Sequence, residues 1–121
     1  MKHIVLGCLF LLTAASAARA SSEKTLKKDA QFYFSEGKYD RALPLYRKLD
    51  SLHPGNLEYQ YNLGLCYLNS SPEKDKAVFF LEKVAATPKP PGGAQEALAR
   101  AYSLNYQFKE AITAYEKVLT V

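Results

Sequence analysis

The stretch DAQFYFSEGKYDRALPLYRKLDSLHP, residues 29–54, decides the fold, because it contains two short amphipathic helical patterns separated at Gly37. Its small and aromatic positions recur twice, first 34 and then 35 residues further on: Ala30, Gly64 and Ala99; Tyr33, Tyr67 and Tyr102. Small residues where helices touch, with large aromatic residues between them and a period near 34, are typical of stacked helix-turn-helix repeats.

The second half of the unit recurs with the two displacements exchanged, 35 and then 34 residues: Ala42, Ala77 and Ala111; Tyr46, Leu81 and Tyr115; Leu49, Val84 and Val118. This exchange places one extra residue in the middle repeat. It lies between Tyr67 and Ala77.

These residues resemble the tetratricopeptide repeat. Repeat one carries almost the whole family pattern: Ala30, Tyr33, Gly37, Tyr39, Ala42, Tyr46 and Pro54. The departures are local, with Lys89 at the closing position of repeat two and Tyr106 at the turn of repeat three, where Gly is usual. The resemblance implies an all-α fold, a right-handed superhelical stack of three repeats at about 23–56, 57–91 and 92–121.

The register predicts six helices at roughly 23–36, 39–52, 57–69, 73–86, 93–105 and 108–120. Asn56 is the expected N-cap of the third helix. Ser71-Pro72-Glu73 is expected to give the fourth helix its cap, a first-turn Pro and a favourable carboxylate. The segment 87–93 contains three prolines and two glycines, which predicts an extended linker and a less rigid junction between repeats two and three.

Residues 1–20 have the pattern of a secretory signal peptide. A short positive start precedes the apolar run Ile4–Leu12, and Ala18-Arg19-Ala20 offers a small-x-small cleavage site. The run is shorter than the roughly 18 residues needed to cross a bilayer, which disfavours a membrane anchor. Cleavage after Ala17 is an alternative, and lipidation at Cys8 is disfavoured because cutting there would leave almost no apolar segment. We expect a mature domain, 21–121, in the periplasm or cell envelope.

Few chemically reactive side chains remain after residue 20. The mature part carries 14 Lys and Arg against 12 Asp and Glu, a balance that does not indicate nucleic acid binding. Cys66 and His53 are its sole Cys and His, too few for a disulfide or a zinc site of Cys and His. Cys66 is expected to be a buried structural thiol. No nucleophile elbow or phosphate loop is present, so we expect neither an enzyme nor a cofactor.

The repeat aromatics Tyr33, Tyr46, Tyr67, Tyr102 and Tyr115 are expected to be buried by interhelical packing. The resemblance implies that the first helix of each pair lines a concave groove, and that its free positions bind a partner protein or peptide segment. In this chain those positions are Lys24, Lys27, Gln31, Glu58, Tyr61, Asn62, Leu65, Glu96 and Arg100. The family's carboxylate clamp is rejected, because Gly93 and Ala97 stand where it needs two basic residues.

Ile112, Val118, Leu119 and Val121 would leave the last helix with an open apolar side, so we expect a further domain or partner to cover it. Residues 66–70, 73–77 and 101–112 also resemble the N-terminal repeats of large envelope proteins of gliding, type IX-secreting bacteria. There the repeats precede a WD40-like propeller and an OmpA-like peptidoglycan-binding domain. This resemblance implies a scaffold in a secretion, motility or peptidoglycan-associated assembly. The alternative is a periplasmic carrier that binds a lipid or small ligand between repeats two and three.

Overall fold

The computed structural model describes residues 22–120. Their helices are α1 (22–35), α2 (Tyr39–Leu52), α3 (Leu57–Ser70), α4 (Lys74–Ala85), α5 (Ala94–Leu104) and α6 (Phe108–Leu119). Within this range there is no strand, and every predicted helix agrees with the observed one to within one residue. The all-α helical-repeat solenoid is therefore confirmed. The predicted signal peptide and Val121 lie outside the described residues.

Consecutive helices pack against each other from α2 to α6, and α3 also contacts α5, the next first helix in line. The small repeat positions lie at these contacts, where Ala30, Ala42 and Ala77 are fully buried. At Gly64 the approach is closest, because a Cβ atom there would lie 2.9 Å from Leu81 Cγ and Cδ2. The small residues thus let neighbouring helices come close enough to bury one continuous core.

The extra residue of repeat two lengthens a helix. Helix α3 continues three residues beyond Tyr67, to Ser70, whereas α1 ends two residues after Tyr33 and α5 ends two residues after Tyr102. Three residues then lead to the next helix in all three repeats. The added residue therefore preserves the turn length.

The N-cap of α3 is confirmed, since the Tyr59 backbone N–H donates to Asn56 Oδ1 at 3.0 Å. The expectation for α4 is wrong, because that helix begins at Lys74 and Pro72 lies outside it. Ser71 instead follows the end of α3, and its Oγ accepts from the Glu73 backbone N–H at 3.1 Å. The turn is closed by Lys74, whose Nζ donates to the Leu68 carbonyl at 2.6 Å. Two carbonyls in the last turn of α3, those of Tyr67 and Leu68, thus accept from this lysine.

The turn inside repeats one and three uses a left-handed residue. Gly37 has φ +70° in the first repeat, and Tyr106 has φ 61° in the third. Tyr106 is also the most strained of the turn residues, since a side chain with a Cβ rarely adopts this region. The missing glycine therefore leaves the turn geometry unchanged and adds backbone strain.

The five repeat tyrosines are not equally buried. Tyr46 and Tyr67 are buried as predicted, and Tyr33 and Tyr102 are half-buried. The prediction is wrong for Tyr115, which is 40% exposed. Its counterpart Tyr46 is covered by the following first helix, α3, and within the described residues no helix follows α6.

Candidate functional site

The nine predicted groove residues lie on α1, α3 and α5, the first helices of the three pairs. We call the surface formed by these nine residues the first-helix face. Its exposed members are Lys24, Lys27, Gln31, Glu58, Glu96 and Arg100; its half-buried members are Tyr61, Asn62 and Leu65. Contacts between α3 and α5 place the members on these two helices side by side. The charged side chains of this face are therefore available to a partner, while the three central side chains are partly used by the fold.

Two contacts connect α1 to later parts of the chain, one in the second repeat and one within the first. Lys27 Nζ lies 5.9 Å from the centre of the Tyr59 ring, within the range of a cation–π interaction. Glu23 Oε2 lies 3.3 Å from His53 Nε2, at the end of α2. The His53 imidazole thus contacts α1, the first helix of its own pair.

Tyr61 connects repeat two to the linker before repeat three. Its hydroxyl donates to the Gly92 carbonyl at 2.9 Å. A Cβ atom added at Gly93 would lie 3.2 Å from the Tyr61 hydroxyl oxygen. Burial raises the pKa of Tyr61, and the nearby charge of Glu96 raises it further. Because its polar group is engaged, Tyr61 positions the linker and offers a partner only part of its ring.

Asn62 is likewise engaged within the fold. Its Nδ2 donates to the Tyr46 hydroxyl at 3.1 Å, between the third and second helices. Burial raises the pKa of Tyr46 to about 12, although the hydrogen bond from Asn62 opposes this effect. Leu65 packs partly against the hydrophobic core. The sequence pattern placed these side chains on a first helix but did not indicate their internal partners.

The charges on the first-helix face are mostly free of intramolecular ion pairs. Among residues 22–120 the ion pairs are Glu23 with His53 and Glu73 with Lys76. Lys24, Lys27 and Arg100 therefore have no carboxylate partner in the described part of the chain. Three lysines, Lys24, Lys27 and Lys28, make the α1 end of the face basic.

A cavity of ≈ 720 Å³ is lined by residues of α1, α2, α3 and α4, and sequence reasoning missed it. Helix α2 supplies most of its lining, including Arg47 and Lys48, while the buried side chains of Leu63 and Tyr67 come from α3. The Phe80 ring of α4 stacks on Tyr67, with centroids 5.9 Å apart. Phe80 could have indicated this cavity from the sequence. It is an aromatic residue next to the repeat position Leu81, and the repeat pattern does not require an aromatic residue there.

Asp50 also lines this cavity, and its Oδ1 is buried without a hydrogen-bond partner among the described residues. A buried carboxylate oxygen without a donor is costly. The cavity therefore combines an apolar base with basic side chains, serine hydroxyls and one buried carboxylate oxygen.

Cys66 is buried as predicted, and burial raises the pKa of its thiol to about 12, so the reactive thiolate is suppressed. Residues 22–120 contain no cluster of three or more His, Cys, Asp or Glu side chains suited to a metal ion. In the same range, every helix is too short or too polar to cross a membrane.

Comparison with known proteins supports the repeat assignment. Residues 33–88, from the first aromatic repeat position to the linker, match the family model described as tetratricopeptide repeat. No curated protein and no solved structure matches the chain. Tetratricopeptide repeats generally form scaffolds that bind other proteins or peptides. Residues 33–88 are thus similar to a tetratricopeptide repeat in sequence, and the helix pairs of this chain have the arrangement that this similarity implies.

Proposed function

We propose that this chain is a docking module of the bacterial cell envelope, which binds a segment of another protein along its first-helix face. The observation that carries the proposal is the set of exposed charges on α1, α3 and α5 that the fold does not pair. A partner with acidic residues opposite α1 would neutralise Lys24 and Lys27. Further along, Glu96 and Arg100 would select a segment of mixed charge.

The receptor is rigid at the points where a segment would lie. Tyr61 is bound to the linker at 2.9 Å, and Asn62 is bound to Tyr46 at 3.1 Å. Side chains that are already fixed lose little entropy on binding, so contacts to their exposed edges contribute more to affinity. The mechanism is therefore recognition by a preformed surface, without a chemical step.

The envelope location is supported by residues 1–20, which have the charge, apolar run and cleavage pattern of an exported protein. The resemblance to repeats of gliding, type IX-secreting bacteria supports a role in a secretion, motility or peptidoglycan-associated assembly. We propose the same context here, with this chain as the docking part of that assembly.

The binding face is tested by charge reversal with a matched control. The double variant Lys27→Glu with Arg100→Glu changes the first-helix face, and Arg47→Glu with Lys48→Glu makes an equal number of reversals at the ≈ 720 Å³ cavity. A photoreactive residue at Gln31 records contacts in living cells, and mass spectrometry identifies the crosslinked peptide. We expect the first pair of changes to abolish the crosslink and the second pair to leave it intact.

Circular dichroism controls for folding in both variants. Loss of the crosslink in the cavity variant alone would move the binding site to the cavity and contradict the proposal. A bound lipid or small molecule in native mass spectra, without a crosslinked polypeptide, would favour the carrier alternative.

Location is tested separately by isolating the protein from the periplasmic and cytoplasmic fractions. The intact mass of each sample identifies its first residue. A chain that begins at Ser21 would support export with cleavage after Ala20. A chain that keeps Met1 and remains in the cytoplasm would contradict the envelope part of the proposal.

A further inference from the structure

Helix α6 has an exposed apolar stripe on the side away from α5. It consists of Phe108, Ile112, Tyr115 and Leu119, which the structure leaves 40% to 84% exposed. Their spacing of four, three and four residues places them in one row along the whole helix. This is the spacing of the a and d positions of a coiled coil.

The stripe differs from the equivalent rows of the two preceding second helices. On α2 the row reads Tyr39, Leu43, Tyr46 and Asp50; on α4 it reads Lys74, Val78, Leu81 and Ala85. Those rows end in polar or small residues, and their central side chains, Tyr46 and Leu81, are 1% and 0% exposed beneath α3 and α5. Only the α6 row is large and apolar at all four positions. It therefore offers a longer apolar contact than the one between successive repeats.

The charges beside the stripe indicate which helix fits. In this register Phe108 and Tyr115 are d positions, and Ile112 and Leu119 are a positions. Lys109 and Glu116 each follow a d residue, so both occupy e positions on the same flank of the stripe. A twofold axis between Ile112 and Tyr115 would pair two α6 helices antiparallel, with Phe108 against Leu119 of the other copy. The same axis brings Lys109 beside Glu116 of the other copy, and it does so twice. In a parallel pair Glu116 would instead face Ala111, which is uncharged, and Lys109 would have no residue of α6 opposite it.

We propose that two copies of this chain associate through their α6 stripes as an antiparallel, twofold-symmetric helix pair. This goes beyond the proposed docking function, because the stripe is separate from the first-helix face. One dimer would present two first-helix faces, and a partner with two binding segments would be held by both.

The test is sedimentation equilibrium of the chain from Ser21 to Val121, which holds all the described helices. Over a roughly hundredfold range of concentration, we expect the mass to rise from one chain to two. Ile112→Glu should keep the chain monomeric by placing a carboxylate in the seam. Phe79→Glu is the matched control, since Phe79 is 54% and Ile112 60% exposed but they lie on different helices.

Charge variants test the antiparallel geometry. K109E should weaken dimerisation about two- to tenfold, because each copy loses one exposed ion pair and gains a repulsion. Combining K109E with E116K should restore it. Disulfide trapping gives an independent answer, since a mixture of I112C and Y115C chains should crosslink faster than I112C alone.

Three results would overturn the proposal. The first is the mass of one chain at every concentration, and the second is a dimer that persists in the Ile112→Glu variant. The third is faster crosslinking of I112C chains with each other than of I112C with Y115C chains. The first would assign the stripe to a helix of another protein or segment.

Discussion

Tyr46 in repeat one and Tyr115 in repeat three occupy the same repeat position, yet the first is 1% and the second 40% exposed. Both lie on a second helix, and both helices pack against the first helix of their own pair. The difference comes from the next helix along. Helix α3 covers Tyr46 and donates a hydrogen bond to it through Asn62, whereas within the described residues no helix follows α6. In a solenoid, a residue's environment is thus set by its neighbouring repeat as much as by its own sequence.

The comparison is tested most strongly by replacing each tyrosine with alanine. Tyr46→Ala should lower the free energy of unfolding by about 3–5 kcal/mol, because it leaves a cavity in the core and removes the acceptor for Asn62. Tyr115→Ala should cost under about 1 kcal/mol, since it removes a side chain that is largely in water. Urea unfolding at low protein concentration, where contacts between chains contribute nothing, measures both. Equal losses would mean that the two positions have the same environment in solution.

The small position of the first helices offers a second comparison. Gly64 lies where repeats one and three have the buried residues Ala30 and Ala99. Gly64→Ala should destabilise by about 1–3 kcal/mol, because the added methyl group would meet Leu81 at 2.9 Å.

Leu81→Val should relieve part of that clash, and a double-mutant cycle measured by urea unfolding would report positive coupling. If Gly64→Ala is stabilising, as expected of alanine in an uncrowded helix, then α3 and α4 are further apart in solution.

The turns of repeats one and three differ in residue type but share a left-handed backbone. Gly37→Ala should cost about 1 kcal/mol, since nothing lies within 4 Å of the added Cβ atom and only backbone strain opposes it. Tyr106→Gly should gain up to about 1 kcal/mol, because it removes the same strain at φ 61°. Thermal unfolding measures both. A loss of stability in Tyr106→Gly would show that the edge contact with Phe108 outweighs the strain.

The last comparison concerns the ionisation of Tyr46. Burial raises the pKa of Tyr46 from 10.0 to about 12, so the protonated hydroxyl stabilises the fold fully below pH 10 and loses that contribution as pH rises through 12. At neutral pH, Tyr46→Phe should cost about 1 kcal/mol, because Asn62 loses its acceptor. That difference should fall between pH 10 and pH 12 and change sign, because a shift of two pKa units corresponds to about 2–3 kcal/mol that only the wild type loses. A constant difference over this range would contradict the inferred burial of the hydroxyl.

Much of the fold could be predicted from spacing alone. The recurrence of Ala30 and Tyr33 fixed the helix pairs, and Asn56 fixed the start of α3, because capping is a local interaction. The start of α4 could be predicted to within one residue but its capping could not, since Lys74 of α4 donates to the Leu68 carbonyl at the end of α3. The first-helix face was identified only as a set of positions. The internal partners of Tyr61 and Asn62 lie 31 and 16 residues away, beyond any local pattern.

The helix pairs, their order and their small contact positions could be predicted from the residues alone, because each follows from a period that recurs along the chain. Only the tertiary structure decided which repeated side chains are buried, which first-helix groups are engaged, and where the ≈ 720 Å³ cavity opens. The physical reason is that burial is a property of two surfaces in contact. One helix can specify its own surface, but the helix packed against it determines how much of that surface remains in water.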